Sequence, residues 1–225
     1  MISTPDEHRL TRMKKILLCG LLSCGLLARA DDTAKTLFKN DFEKAEIGKL
    51  PDELMVLGGE FTVKSDGTNK FLELPGAPLD SYGVLFGPTE SSNICIAARI
   101  FGVSTSRRHP TFAVGLNGIG GYKIMVAPGK AKLELTKGET IAASGPYQWK
   151  SGAWTRLKLQ IRKVKDGEYK VEAKVWTDGE AEPKDWSVAI DEKELPPPGR
   201  PSIWGSPYSG NPIRYDDIVF TALQN

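Results

Sequence analysis

The runs Trp154 to Val164 and Tyr169 to Trp176 constrain the fold of this chain more than any other feature, because both alternate apolar and polar residues in period two with only K-D-G-E between them. Successive side chains of a strand point to opposite faces, and residues directly opposite in an antiparallel ladder share a face. Leu157, Leu159 and Ile161 must therefore oppose odd-numbered residues among Tyr169, Val171, Ala173 and Val175 if the hairpin is to bury one side. A two-residue Asp166-Gly167 turn sets odd against even and places Ile161 opposite Glu172, so it is excluded. A three-residue loop Lys165-Asp166-Gly167, with Gly167 left-handed as a bulge glycine, restores the match. That register sets Trp176 against Arg156, and a slip of two residues sets it against Lys158, so in either case Trp176 points outward beside a cation. Trp186 shares parity with Val188 and Ile190 and is expected to point into the core.

The same alternation recurs along the chain, and no window of a dozen residues keeps a capped helical repeat. Further candidate strands cover 71–74, 83–86, 93–103, 111–116, 122–126, 131–136, 186–190 and 215–222. About ten strands at this spacing predict an all-β, two-sheet antiparallel sandwich. The run Asn93 to Val103 is apolar on both parities, which predicts a central strand covered on both faces. Arg99 is its one charge, and a lone charge there needs a partner or a groove to line. Gly115-Leu-Asn-Gly118-Ile-Gly120-Gly121 lacks the spacing of a phosphate cradle and reads as a hairpin turn.

Residues 1–30 read as an N-terminal extension and signal peptide. Lys14 and Lys15 precede an apolar run from Ile16 to Leu27 that is too short to span a bilayer, and Ala28-Arg29-Ala30 forms a cleavage site. Export to the periplasm or the extracellular space follows, with residues 31–225 as a single sandwich domain and no transmembrane span. A lipobox reading of Leu21-Leu22-Ser23-Cys24, with a lipid anchor on Cys24, is disfavoured by the apolar residues that follow. Processing removes 5 of 30 basic and 2 of 28 acidic side chains, so the mature chain carries 25 against 26. A nucleic-acid partner then has no electrostatic motive. Only Cys95 of the 3 cysteines remains, so stability must come from an ordinary core and not from a disulfide.

Phe38 to Glu43 with Gly48 to Pro51, Gly121 to Ile124, Trp149 to Leu159, Ala173 to Trp186 and Tyr215 to Ile218 together resemble the concanavalin A-like lectin/glucanase superfamily in its secreted bacterial jelly-roll form. The resemblance covers essentially the whole mature chain and implies a jelly-roll sandwich whose functions run from glycan binding to glycoside hydrolysis and structural modules. The paired-carboxylate strand of its laminarinase-like members is missing. The nearest string, Asp41-Phe42-Glu43-Lys44-Ala45-Glu46, permutes the acids and lies at the first strand. No catalytic residue is therefore assigned. The leading expectation is a non-catalytic carbohydrate-binding, lectin-like module with a glycan or polysaccharide partner. The alternatives are a glycoside hydrolase of the keto-disaccharide hydrolase-like kind and a structural cell-envelope protein.

Trp204 stands in P-S-I-W-G-S-P-Y-S-G-N-P with Tyr208 and Asn211 nearby, a stretch read as a loop. Flat rings stack on sugar faces and amides bond hydroxyls, so these three are carbohydrate-binding candidates, against the competing structural reading in which Trp204 caps one end of the sandwich. His109, the only mature histidine, follows Arg107 and Arg108 in a loop; no G-x-S-x-G accompanies it, so a sugar contact is preferred to a triad. Arg99 and Tyr122 join the set because the family's ligand groove crosses a central sheet. If Ile218 and Phe220 face inward, parity turns Asp216 inward as well, where a buried carboxylate needs a cation. Asp216, Asp217, Asp41 and Glu43 are thus candidate ligands for one structural calcium ion, against the alternative of solvated edge charges.

Overall fold

The computed structural model describes residues 34–76 and 80–224, so the expectations placed on residues 1–30 lie outside the described residues. Among the described residues fifteen strands run in order: β1 (Lys35–Asn40), β2 (Met55–Val56), β3 (Thr62–Ser65), β4 (Lys70–Leu74), β5 (Tyr82–Leu85), β6 (Ile94–Phe101), β7 (Thr111–Leu116), β8 (Tyr122–Ala127), β9 (Lys132–Lys137), β10 (Thr140–Pro146), β11 (Trp154–Lys165), β12 (Glu168–Thr177), β13 (Val188–Glu192), β14 (Ser202–Ser206) and β15 (Ile213–Ala222). They form two antiparallel sheets. One has the order β13-β12-β11-β6-β15-β4-β3 with β1 also paired to β15, and the other β10-β9-β8-β7-β14-β5-β2. This is the two-sheet sandwich that the alternation predicted.

One parity of each strand makes the core. Ile96 and Ile100 of β6 and Leu157, Leu159 and Ile161 of β11 are fully buried with Val114, Ile124, Leu133, Leu135 and Ile203 of the facing sheet. Each such side chain contributes about 1.5 to 3 kcal/mol relative to exposure. The β11–β12 register is the one expected, with Leu157 opposite Val175, Ile161 opposite Val171 and Arg156 opposite Trp176. The loop is not the expected one: Lys163 pairs with Tyr169 and Lys165 with Glu168, so the turn is the two-residue Asp166-Gly167 excluded above, and a bulge at exposed Val164 takes up the odd residue and keeps the parity. Gly167 closes the turn at φ 70°, a left-handed conformation that glycine adopts without steric cost. Asn117 and Gly118, at φ 61° and 73°, make the β7–β8 connection the turn it was read as.

Two readings fail for tertiary reasons. Trp186 is half-buried and lies under the Lys174 ammonium, 4.6 Å from its ring centroid, on the outward side of the β6 sheet. Trp176, also on the outward side, is the more buried of the two at 9% exposure. The segment between them folds back over the sheet: Lys174 Nζ donates to the Pro183 carbonyl at 2.8 Å, and Glu182 bridges Lys158 at 3.0 Å and Lys174 at 2.7 Å. Parity therefore describes the strand but not the loop that lies on it. Tyr122 faces the core from β8 with no exposure, and burial pushes its hydroxyl pKa far up.

Candidate functional site

The outward face of the β6 sheet carries most of the charge the sequence advertised, and that charge is spent internally. β15 shifts register against β6 between Asp216 and Val219, and Asp217 there has φ 47°. This bulge breaks the parity that was used to turn Asp216 inward. Tyr215 opposes Ile100 in the core and Phe220 opposes Ile96, while Asp216 opposes Arg99 on the outward side. Asp216, only 1% exposed, accepts from the Arg99 guanidinium and from Asn69 Nδ2 at 2.9 Å. Burial raises its pKa beyond what those partners lower it. Asp217 pairs with Arg99 at 3.3 Å and Arg156 at 3.1 Å, and Asp178 pairs with the same two arginines. Burial pushes the Asp178 carboxyl up, but the two guanidiniums outweigh it and hold it below the usual range.

Aromatic rings complete this cover. Arg99 lies 4.6 Å over Trp154, and Arg214 lies 4.5 Å over Phe71 and 5.4 Å over Phe101. Arg99 is thus a cross-link between strands and not a groove residue. The four acids proposed as calcium ligands do not come together either. Asp41 lines a separate polar hollow of about 530 Å³ with Lys39, Lys44 and Glu53, and Glu43 accepts from the Lys70 amide at 2.9 Å. No group of three or more His, Cys, Asp or Glu among the described residues is arranged to hold an ion. The donor set does not fit calcium, because the cation that buried Asp216 requires is a guanidinium.

The outward face of the β7 sheet is built differently. Trp204 is not in a loop: it lies on β14, in the middle of the sheet, opposite Gly83 of β5 on one side and Ala113 of β7 on the other. The two small neighbours let the indole lie down on the sheet. A Cβ at Gly83 would stand 2.6 Å from the ring, and the ring nitrogen donates to Ser202 Oγ at 2.8 Å. Lys123 of β8 holds its ammonium 4.1 Å from the ring centroid. Burial pushes the pKa of Lys123 down, with Glu139 opposing it through space.

Trp204, Lys123, Met125, Thr136 and Glu139 line a hollow of about 180 Å³. Met125 also lines a second hollow of about 410 Å³ with Arg107, Arg108, His109, Ala127, Lys130 and Tyr208. The two hollows adjoin at Met125 and are together termed the groove; both are lined mainly by apolar surface with charged residues at their outer ends, and the larger falls in the usual size range of small-molecule sites. Tyr208 is 48% exposed, free to meet a ligand. His109 is half-buried, and its Nδ1 has no partner among the described residues. Buried Glu134 of β9, directly opposite Met125 of β8, accepts from Lys130 Nζ at 2.9 and 3.2 Å.

Of the six sequence-predicted sugar contacts, the structure brings Trp204, Tyr208 and His109 to this groove. Asn211 does not line it; its amide donates to the Val103 carbonyl at 3.3 Å and Thr105 Oγ1 at 2.7 Å and so ties two loops together. Arg99 lies on the other sheet and Tyr122 in the core. Lys123, Met125 and Lys130 were missed. Ser-Ile-Trp-Gly-Ser between Pro201 and Pro207 held the available signal, since a period-two run bounded by prolines reads as a short strand.

No family model matches the chain, and no curated protein matches it as a relative. Its backbone is similar to solved domains. A carbohydrate-binding module CBM66 from Bacillus subtilis has TM-score 0.53 at 10% identity over 75% of this chain and 95% of that one. The carbohydrate recognition domain of Emp46p, in a metal-free form, has TM-score 0.55 at 13% identity over 84% and 97%. The exoplasmic/lumenal domain of VIP36, in a Ca2+/Man3GlcNAc-bound form, has TM-score 0.51 at 10% identity over 79% and 86%. At these identities the likeness is one of fold: an all-β sandwich of the jelly-roll lectin kind.

Proposed function

We propose that this chain is a non-catalytic carbohydrate-binding domain of concanavalin A-like type, and that it holds an oligosaccharide in the groove across the outward face of the β7 sheet. The observation that carries this reading is the groove itself. Trp204 lies flat in mid-sheet, Met125 continues the apolar floor, and Tyr208, His109 and Lys123 supply donors and acceptors at the ends. Sugars offer this kind of surface its complement, an apolar ring face with a hydroxyl rim. Structural likeness to lectin and carbohydrate-binding domains supports the same class.

Export through the leader in residues 1–30 fits a protein that meets glycans outside the cytoplasm. Among the described residues no helix is long and apolar enough to cross a membrane. Lipidation at Cys24 is not part of this reading, nor is calcium, since arginines already neutralise Asp216 and Asp217 while Asp41 and Glu43 lie apart from them. A glycoside hydrolase needs two carboxylates across the groove, whereas Glu139 is the one carboxylate among the described residues that line it and nearby Glu134 is tied to Lys130.

The test is a polysaccharide binding screen run beside a reducing-sugar assay on the same protein. Wild type is expected to be retained without releasing sugar, and Trp204→Ala to lose about tenfold or more in affinity with an unchanged circular dichroism spectrum. Equal retention of the variant would move the site elsewhere. No retention on any polysaccharide would favour the structural cell-envelope alternative, and released sugar the hydrolase.

A further inference from the structure

The groove holds an excess of unsatisfied positive charge on a chain that is otherwise nearly balanced. Glu134 is neutralised by Lys130, and Glu139 acts on Lys123 only through space. Lys123, Arg107 and Arg108 have no carboxylate partner among the described residues, although 26 acids and 25 bases lie in residues 31–225. Arg107 and Arg108 are exposed at the mouth of the larger hollow, in the turn where the Arg108 amide donates to the Thr105 carbonyl at 3.0 Å. At the far end Lys123 is partly desolvated and held only by the face of Trp204, a weak tether compared with an ion pair.

We propose that the groove takes an acidic glycan, one bearing carboxylate or sulfate groups, with Lys123 and the Arg107–Arg108 pair reading its charge. The inference rests on the carbohydrate-binding reading and narrows it. An anion presented beside β8 draws the Lys123 ammonium off the indole, so charge recognition and exposure of the stacking face become one event. Lys123 of the smaller hollow and Ala127 of the larger are four residues apart on β8, roughly 13 Å, so the floor between the hollows is longer than a single sugar ring. A bare polyanion would satisfy the charges alone; the apolar floor between them selects a ligand that also has ring faces to stack.

The experiment measures affinity for polygalacturonate, dextran sulfate, neutral dextran and single-stranded DNA, using wild type, Lys123→Gln, Arg107→Gln/Arg108→Gln and Trp204→Ala, with thermal melts as folding controls. The expected result is retention on an acidic polysaccharide, at least about tenfold weaker for Lys123→Gln and for Trp204→Ala, with the carboxylate and sulfate arms telling which group is preferred. Equal binding to neutral dextran, untouched by Lys123→Gln but lost in Trp204→Ala, overturns the acidic ligand and leaves the lectin reading standing. Binding to DNA as tight as to acidic glycan, indifferent to Trp204→Ala, overturns both.

Discussion

The outward faces of the two sheets differ in how their charges are satisfied. The β6 face carries Arg99, Arg156, Lys158, Lys174 and Arg214, and each meets a carboxylate or lies on a ring. On the β7 side, Lys123 and the Arg107–Arg108 pair at the groove meet no carboxylate among the described residues. Charge density in a sequence therefore points to the face whose cations are already paired. A cation already paired inside its own fold has little left for a ligand, whereas one resting on an indole can exchange that contact for a stronger one.

The largest effect that would sharpen this comparison is on stability. Arg99→Met should cost about 3 to 5 kcal/mol, because it leaves Asp216 buried without its cation, and Arg99→Met/Asp216→Leu should recover much of that loss. Urea denaturation of both variants measures it. A loss under about 1 kcal/mol for the single variant would mean that this network is surface decoration and that the two faces are more alike than described.

A smaller, local effect follows from acid. Asp178, Glu180 and Glu182 pin the segment between Trp176 and Trp186 to bases, and each has its pKa lowered. Asp178 and Glu182 are lowered by cationic partners that outweigh burial, and Glu180 by its bond to Lys150. Groups with depressed folded-state pKa contribute stability that is full above the ordinary carboxylate value and is lost as the pH falls below about 4. Asp216 is raised, so its sign is opposite and acid relieves it. Amide exchange protection should therefore fall at residues 178–187 before it falls in β15 on going from pH 7 to pH 3. Simultaneous loss in both would show that the loop is not a separately pinned cover.

The smallest expected effect is a null one. Thermal melts in millimolar calcium and in chelator should coincide, because guanidinium groups fill the role proposed for the ion. A rise in Tm with calcium would restore Asp216 and its neighbours as a metal site and remove the main contrast between the faces.

Strand-level structure was legible wherever burial imposed a period. The β11–β12 register follows from the alternation alone, since a one-residue slip would expose Leu157, Leu159 and Ile161. Asp216 was misplaced because a bulge at Asp217 resets the parity, and nothing in Y-D-D-I distinguishes a bulged strand from a regular one. Trp186 was misplaced because its neighbours' parity said nothing about a loop that turns back over the sheet. Half of the groove was visible as Trp204, Tyr208 and His109. Lys123 and Met125 were not, since on β8 they read only as the outward members of an ordinary alternating strand.

By itself the sequence determined an all-β sandwich, the core-facing parity of its clearest strands and one hairpin register, because alternating burial leaves a period that a linear string preserves. Tertiary structure alone decided which outward face stays open. That choice depends on strands far apart in the chain: β14 lies between β5 and β7 and sets Trp204 over Gly83, while β15 sets Asp216 under Arg99. Whether a charge is free or already neutralised is a property of those long-range neighbours, and no local pattern records it.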